Sequence, residues 1–352
     1  MRRTIFSVFT ALAMLLTLSC LHDISDRTNA LDPNSLANAG KCRIITVHYA
    51  ANGSLFKSLD GGATWSPRAA DYARSDCSAS CIAASSDGKK LVAAWQVGKL
   101  YTSTDSGATW VLRDFTGTTN YWNHIICSAD GTKLLAADYQ TGLPGSGYLY
   151  RSMDSGVTWV QETALGQHYW GQVASSADGN KLAGVDPGLS YAYIWVNNGG
   201  GWTNSGDLDG GTPQQFNSVV YSSDGKRLIV GGQMDYIYIS TDGGGTWTKS
   251  MGAGAGAFTF ACSSNGMRII AADNQNYTAG YIYTSYDGGA TWTQRPSAGL
   301  RCWRGIACTL DGMNIVAGVN GGFLYTSADG GITWIERQGA GTVTCLAAVI
   351  YR

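Results

Sequence analysis

The first residues able to do chemistry are acids that recur beside hydroxyls and glycines. Asp60, Asp105, Asp154, Asp242, Asp287 and Asp329 each lie two residues after a serine and five before a tryptophan, in the pattern S-x-D-x-G-x-T-W. A carboxylate among hydroxyl groups is a candidate calcium ligand or acid/base group. A seventh, degenerate copy, "WVNNGGGW" at Trp195–Trp202, carries Asn197 in place of the acid. A second set of carboxylates, Asp138, Asp186 and Asp273, follows short apolar runs, with Asp235 slightly later and His48 and Trp95 at the matching place elsewhere. Several acids on one face suit acid/base work. Asp is equally the ordinary residue to end a strand and begin a turn.

Repetition decides between these readings. The closing tryptophans stand at 65, 110, 159, 202, 247, 292 and 334, so the steps are 45, 49, 43, 45, 45 and 42 residues. A period near 45 is the length of a four-stranded propeller blade. Between the octets a second motif recurs, as in "SSDGKKLVAA" and "SADGTKLLAA". Its Asp-Gly or Asn-Gly pair makes a tight turn between two apolar strands. Each unit therefore reads as strand A, a DG turn, strand B, a variable loop, strand C, the octet as a turn, and strand D. No helical period appears in the mature chain. The expected fold is an all-β, seven-bladed propeller over residues 42–352. Its first unit lacks a strand A and its last is followed by an orphan one, "GTVTCLAAVIYR", which closes the ring and removes exposed edges. Near-equivalent acids around a ring cannot all face one central ligand, so the octet acids read as turn caps.

The octets and DG turns share one face, which leaves the B–C and D–A connections to the other. Eight residues before each DG turn stand Ala79, Trp122, Trp170, Phe216, Ala257, Trp303 and Val343. The bulky members are either inter-blade packing or a stacking platform for a sugar or a partner chain. Six residues before the turn stand Cys81, His124, Gln172, Ser218, Thr259, Gly305 and Cys345, a polar or small set expected to border the channel. Cys81 and Cys345 fall on adjacent units, where a closing disulfide is conceivable. Cys127, Cys262 and Cys308 share another position and read as small buried hydrophobes.

Bulk composition fits this picture. The 352 residues are 44% hydrophobic and only 14% charged, with 47 glycines. Net charge is −1 and no basic run follows Arg2-Arg3, so a nucleic-acid partner is not expected. "MRR" and the apolar stretch after it read as an export signal over residues 1–20. "LTLSC" resembles the lipobox of bacterial lipoproteins, with Thr17 where that motif prefers Leu. Lipidation at Cys20 and simple secretion both follow from it. Residues 21–41, polar and unpatterned, read as a tether. The four histidines show no metal spacing, and no cofactor or metal is expected.

The repeated octet is identified as the Asp-box, or BNR repeat, and the resemblance covers residues 42–352. Such propellers include sialidases, xyloglucan-type endoglucanases, sortilin-like receptors and photosystem II assembly-factor-like proteins, and the short units look most like the last group. Sialidase resemblance would imply an Arg-Ile-Pro stretch and arginines on separate blades. Here Arg43-Ile44 lacks the proline, and Arg301 and Arg304 lie together. Xyloglucan-type enzymes place their acids between two tandem propellers, and one is present here. The expectation is a monomeric, non-catalytic, extracytoplasmic scaffold for a protein or carbohydrate partner. A sialidase-like glycoside hydrolase is the alternative.

Overall fold

The computed structural model describes residues 43–48, 55–68, 79–95, 99–114, 120–138, 147–188, 192–206, 208, 216–232, 236–252, 258–273, 279–340 and 345–351. The export signal with Cys20, the tether over 21–41 and Asp235 lie outside them. Six blades fold from continuous runs of four antiparallel strands. Blade I comprises β4 (Ala79–Ala84), β5 (Leu91–Trp95), β6 (Leu100–Ser103) and β7 (Val111–Arg113). Blade II comprises β8 (Trp122–Cys127), β9 (Leu134–Asp138), β10 (Leu149–Ser152) and β11 (Val160–Gln161). Blade III comprises β12 (Val173–Ser175), β13 (Leu182–Asp186), β14 (Tyr193–Asn197) and β15 (Trp202–Asn204).

Blade IV comprises β16 (Phe216–Tyr221), β17 (Leu228–Gly232), β18 (Tyr236–Ser240) and β19 (Thr248–Gly252). Blade V comprises β20 (Phe258–Cys262), β21 (Ile269–Asp273), β22 (Ile282–Ser285) and β23 (Thr293–Arg295). Blade VI comprises β24 (Trp303–Cys308), β25 (Ile315–Val319), β26 (Leu324–Ser327) and β27 (Ile335–Arg337).

The expectation of seven blades is corrected by this strand order: six blades, not seven, are complete runs of one chain segment. The remaining four-stranded sheet is a composite of both chain ends. In it β28 (Cys345–Tyr351) pairs antiparallel with β1 (Arg43–His48), followed by β2 (Leu55–Ser58) and β3 (Ser66–Arg68). The innermost strands of the six blades touch in cyclic order, and β28 completes that inner ring between β24 and β4.

The second strand of each blade is buried along its whole length in β9, β13, β17, β21 and β25. Sequences such as "LLAAD" and "LAGVD" suit a strand sandwiched between neighbouring blades, because small residues let the sheets approach. The DG turns are tied together as well. The amide of Ser86 donates to Ala129 O (2.8 Å), Ala129 to Ala177 O (2.7 Å), Ala177 to Ser223 O (2.8 Å), Ser223 to Ser264 O (2.7 Å) and Ser264 to Leu310 O (2.7 Å). This backbone belt runs through all six blades. Among the described residues it ends at Leu310 of blade VI.

Strand A carries a bulge next to its first aromatic residue. The register shifts between Trp122 and His124, between Phe216 and Ser218, and between Trp303 and Gly305. Blade V has one residue fewer here and pairs Phe258 with Asp273 without a shift. Counting back eight residues therefore reaches Ala257, whereas the structure puts Phe258 in the aromatic slot.

Candidate functional site

Each complete octet folds into the same turn. In blade II, Ser152 Oγ donates to Asp154 Oδ1 (2.8 Å) and accepts from the Gly156 amide (2.8 Å). Asp154 in turn accepts from the Thr158 amide (2.8 Å) and the Thr158 hydroxyl (2.6 Å). Blade IV repeats this with Ser240, Asp242 and Thr246. Hydroxyl and amide bonds from Thr109 and Thr158 hold the carboxyls of Asp105 and Asp154 down at about 2. The indole N–H of Trp159 closes the loop on Gly156 O at 3.1 Å, as Trp65, Trp247 and Trp334 do on their own turn glycines. The same geometry holds Asp60, Asp287 and Asp329. These acids serve the turn.

Blade III departs from the rule, and the register corrects the alignment. Asn197 pairs with Leu182, the place held by Ser103, Ser152 and Ser240 in other blades. Asn197 therefore stands for the serine rather than the aspartate, and its turn is two residues shorter. Its side-chain oxygen accepts from the Gly199 amide at 2.9 Å.

On the opposite face the strand-B acids are engaged within their own blades. Asp138 is buried and accepts from Asn120 Nδ2 (2.8 Å) and the Tyr121 amide (2.9 Å). Asp186 is buried, accepts from the Gly188 amide (2.9 Å), and lies 2.8 Å from His168 Nδ1. Asp273 is buried, and a Cβ on Gly280 would come within 2.8 Å of its carboxyl carbon. In blades II and III these acids fasten the D–A connection to the end of strand B, and they are not gathered at one point.

His168, not singled out in the sequence, and Arg301, weighed there only as a sialidase-type arginine, emerge as organisers of this face. His168 exchanges both backbone bonds with Gly147 of the preceding blade, and Arg301 does the same with Gly280. Each also reaches back to the short 3-10 turn before it, His168 Nε2 to Leu165 O (2.9 Å) and Arg301 Nε to Ala298 O (3.2 Å). Each lies on the third-strand aromatic of its own blade. The His168 ring centroid is 5.2 Å from Trp195, and the Arg301 guanidinium is 4.5 Å from the Tyr325 ring. The shared "G-x-H/R-x-W" spacing, in "GQHYW" and "GLRCW", was the signal available for them.

The aromatic candidates are core residues. Trp122, Trp170, Phe216 and Trp303 are 2%, 0%, 1% and 0% exposed, which leaves no ring face for a sugar to stack on. Trp122, Phe216 and Trp303 meet Tyr150, Tyr238 and Tyr325 edge-on. His124 accepts from the Val173 amide of the next blade at 3.4 Å, and burial pushes its imidazole down to about 4. Gln172 repeats that link by accepting from Ser218 Oγ at 2.8 Å. Burial raises the thiols of Cys127 and Cys262 to about 12. The side chain of Cys345, and with it any bond to Cys81, lies outside the described residues. Among the described residues no three histidine, cysteine or acidic side chains cluster as metal ligands.

Fold and turn chemistry together define an Asp-box β-propeller. The BNR/Asp-box repeat model matches residues 238–249, the blade IV copy of the turn. No curated protein matches the chain in sequence. Among solved structures, YCF48 bound to a D1 peptide is similar, at 18% identity over 81% of this chain and 85% of that chain, with a TM-score of 0.59. YCF48 from Cyanidioschyzon merolae gives 17% identity, 75% and 86% coverage and a TM-score of 0.55. A GH74 enzyme from Niastella koreensis gives 17% identity, 84% and 62% coverage and a TM-score of 0.47. At these identities the likeness to the two YCF48 structures is one of fold.

Proposed function

We propose that the chain is a non-catalytic, extracytoplasmic binding scaffold that presents the B–C and D–A face to a polypeptide partner. The observation that carries this reading is the use of the acids on that face. Asp138 and Asp186 are buried and bonded to Asn120, His168 and local amides, so they hold loops in place instead of awaiting a substrate. A glycoside hydrolase needs one such acid protonated and aimed at a glycosidic oxygen. The reciprocal bridges at His168 and Arg301 fasten neighbouring blades and leave a stiff platform suited to a docked chain. The similar propeller YCF48 has been solved with a D1 peptide, which agrees with this type of partner.

Residues 1–20 would export the chain, either for lipidation at Cys20 or for simple secretion. Affinity capture of the tagged full chain from detergent-solubilised envelopes, with cross-linking mapped by mass spectrometry, tests the reading. Cross-links should concentrate at Tyr121, Tyr148, Tyr169 and Tyr281. Hydrolysis of a polysaccharide by the purified chain, lost in Asp186→Asn, would overturn it.

A further inference from the structure

Blade III lacks the complete octet, and a cleft opens where that turn is missing. The cleft lies between blades II and III and encloses about 490 Å³. Arg151, Met153 and Glu162 line it from blade II, and Trp195, Asn197 and Trp202 from blade III. Its cause is visible in the turn "NNGGGW". Cβ atoms added at Gly199, Gly200 and Gly201 would meet nothing within 4 Å, so the turn leaves space above itself.

Not every polar group beside the shortened turn is hydrogen-bonded. Trp65, Trp159, Trp247, Trp292 and Trp334 donate their indole N–H to a turn glycine carbonyl. Trp202, at the same place in blade III, has a buried indole N–H with no partner, and so has Trp195 beside it. Glu162 Oε1 lies 3.0 Å from Arg151 Nε as an ion pair but accepts no hydrogen bond. Two covered indole donors without partners therefore flank the cleft, beside a carboxylate oxygen held only by its ion pair with Arg151. Such groups are uncommon in folded proteins and mark places where a bonding partner is missing.

From this we infer that the cleft between blades II and III is a binding site for a neutral carbohydrate. Both indole N–H groups lie covered, so it is the cleft-lining side chains of Arg151, Glu162 and Asn180 that can bond sugar hydroxyls, which both donate and accept. The indoles of Trp195 and Trp202 are partly exposed and offer apolar surface for the C–H face of a pyranose. The Arg151–Glu162 pair is neutral overall, which favours an uncharged saccharide over an anionic one. A cleft of this volume is in the range of small-ligand sites. The site lies on the side of the propeller and does not depend on the polypeptide partner proposed for the loop face.

The test is calorimetric titration of the full chain with cellohexaose, mannohexaose, laminarihexaose and chitohexaose, with sialyllactose as the anionic control and an aromatic-rich peptide as the apolar one. At least one neutral oligosaccharide should bind, and in an amide-proton spectrum it should shift the indole signals lost in Trp195→Phe and Trp202→Phe. Trp202→Phe and Glu162→Gln should each weaken binding about tenfold with the melting temperature kept. A chain in which residues 197–202 are exchanged for the complete octet of residues 240–247 should fold and not bind, because the restored turn fills the cleft. Absence of binding by all four neutral sugars would overturn the assignment. So would binding that survives the octet exchange, or binding of the peptide or sialyllactose alone.

Discussion

His168 and Asp186 form a pair in which one imidazole faces two acceptors. Nδ1 lies 2.8 Å from Asp186 Oδ2, and Nε2 lies 2.9 Å from Leu165 O. Both ring nitrogens must donate to satisfy both contacts, which is the property of the imidazolium. The Asp186 hydrogen bond accordingly raises the His168 pKa, against the opposing effect of burial.

A raised folded-state pKa fixes the sign of a pH effect. The stabilisation from His168 is complete below its unfolded value of about 6.5 and is lost as pH rises through the folded value. Imidazole signals followed by NMR should show His168 titrating above that value, and Asp186→Asn should lower it. The melting temperature of the wild type should fall with pH across the same window more than that of the variant. Titration of His168 at or below the value of an exposed histidine would contradict the pairing.

The octet serine makes a prediction about stability. Ser152 is 1% exposed and ties Asp154 to the Gly156 amide. Ser152→Ala leaves that buried amide without an acceptor and should cost about 1–3 kcal/mol by chemical denaturation. Ser152→Asn should cost less, because Asn197 at the matching register still accepts from a turn amide.

The octet acids set the behaviour in acid. Asp105 and Asp154 are held near 2 by threonine hydroxyls and turn amides, below an ordinary aspartate. A depressed folded pKa contributes stability above the unfolded value, and that contribution disappears as pH falls toward the folded one. Unfolding should therefore set in between about pH 4 and pH 2, by circular dichroism. Asp105→Asn combined with Asp154→Asn should reduce the slope in that window.

Much of this architecture was legible because a repeat shows the same physics several times. Asp154 alone resembles a ligand; with Asp60, Asp105 and Asp242 at even spacing it becomes a turn cap. Departures from the repeat were harder to read. Asn197 aligned by sequence with the aspartates, and only the pairing to Leu182 shows it in the serine position. Phe258 was missed because blade V lacks a one-residue bulge, which shifts a fixed count by one. The stacking role weighed for Trp170 and Trp303 failed to appear for a simpler reason. Sequence shows an aromatic at a strand entry but not which neighbour covers it, and both are 0% exposed. His168 could not be paired with Asp186 in advance, since the contact joins a D–A connection to the end of strand B.

The DG-turn glycine carries two constraints at once. Gly179 has a φ of +65°, and a Cβ there would lie 2.9 Å from Lys133 Cβ of the preceding blade. Lys133 needs that passage, since its ammonium reaches Asp178 O at 2.8 Å and Asn180 Oδ1 at 2.6 Å. Gly179→Ala should cost more than the roughly 1–2 kcal/mol of left-handed backbone strain. Gly199→Ala, with φ +95° and nothing within 4 Å, should show the backbone cost alone. Equal losses in the two variants would show that the blades do not pack through this glycine.

The buried tryptophans separate packing from recognition. Trp170 is fully buried against Leu135 and Leu149 of blade II and Val173 of its own blade. Trp170→Ala should cost about 3–5 kcal/mol, the range for large aromatic truncations in a core. Trp170→Phe keeps most of the apolar volume and should lose less. Its indole nitrogen has no hydrogen-bond partner to forfeit. If Trp170 acts only through packing, capture of the polypeptide partner should persist in Trp170→Phe at temperatures where the variant is folded. Loss of capture in a folded Trp170→Phe chain would instead place this residue in the recognition surface. That outcome would require the entry of blade III to open when the partner binds, which hydrogen exchange at Gly171 and Val173 would detect.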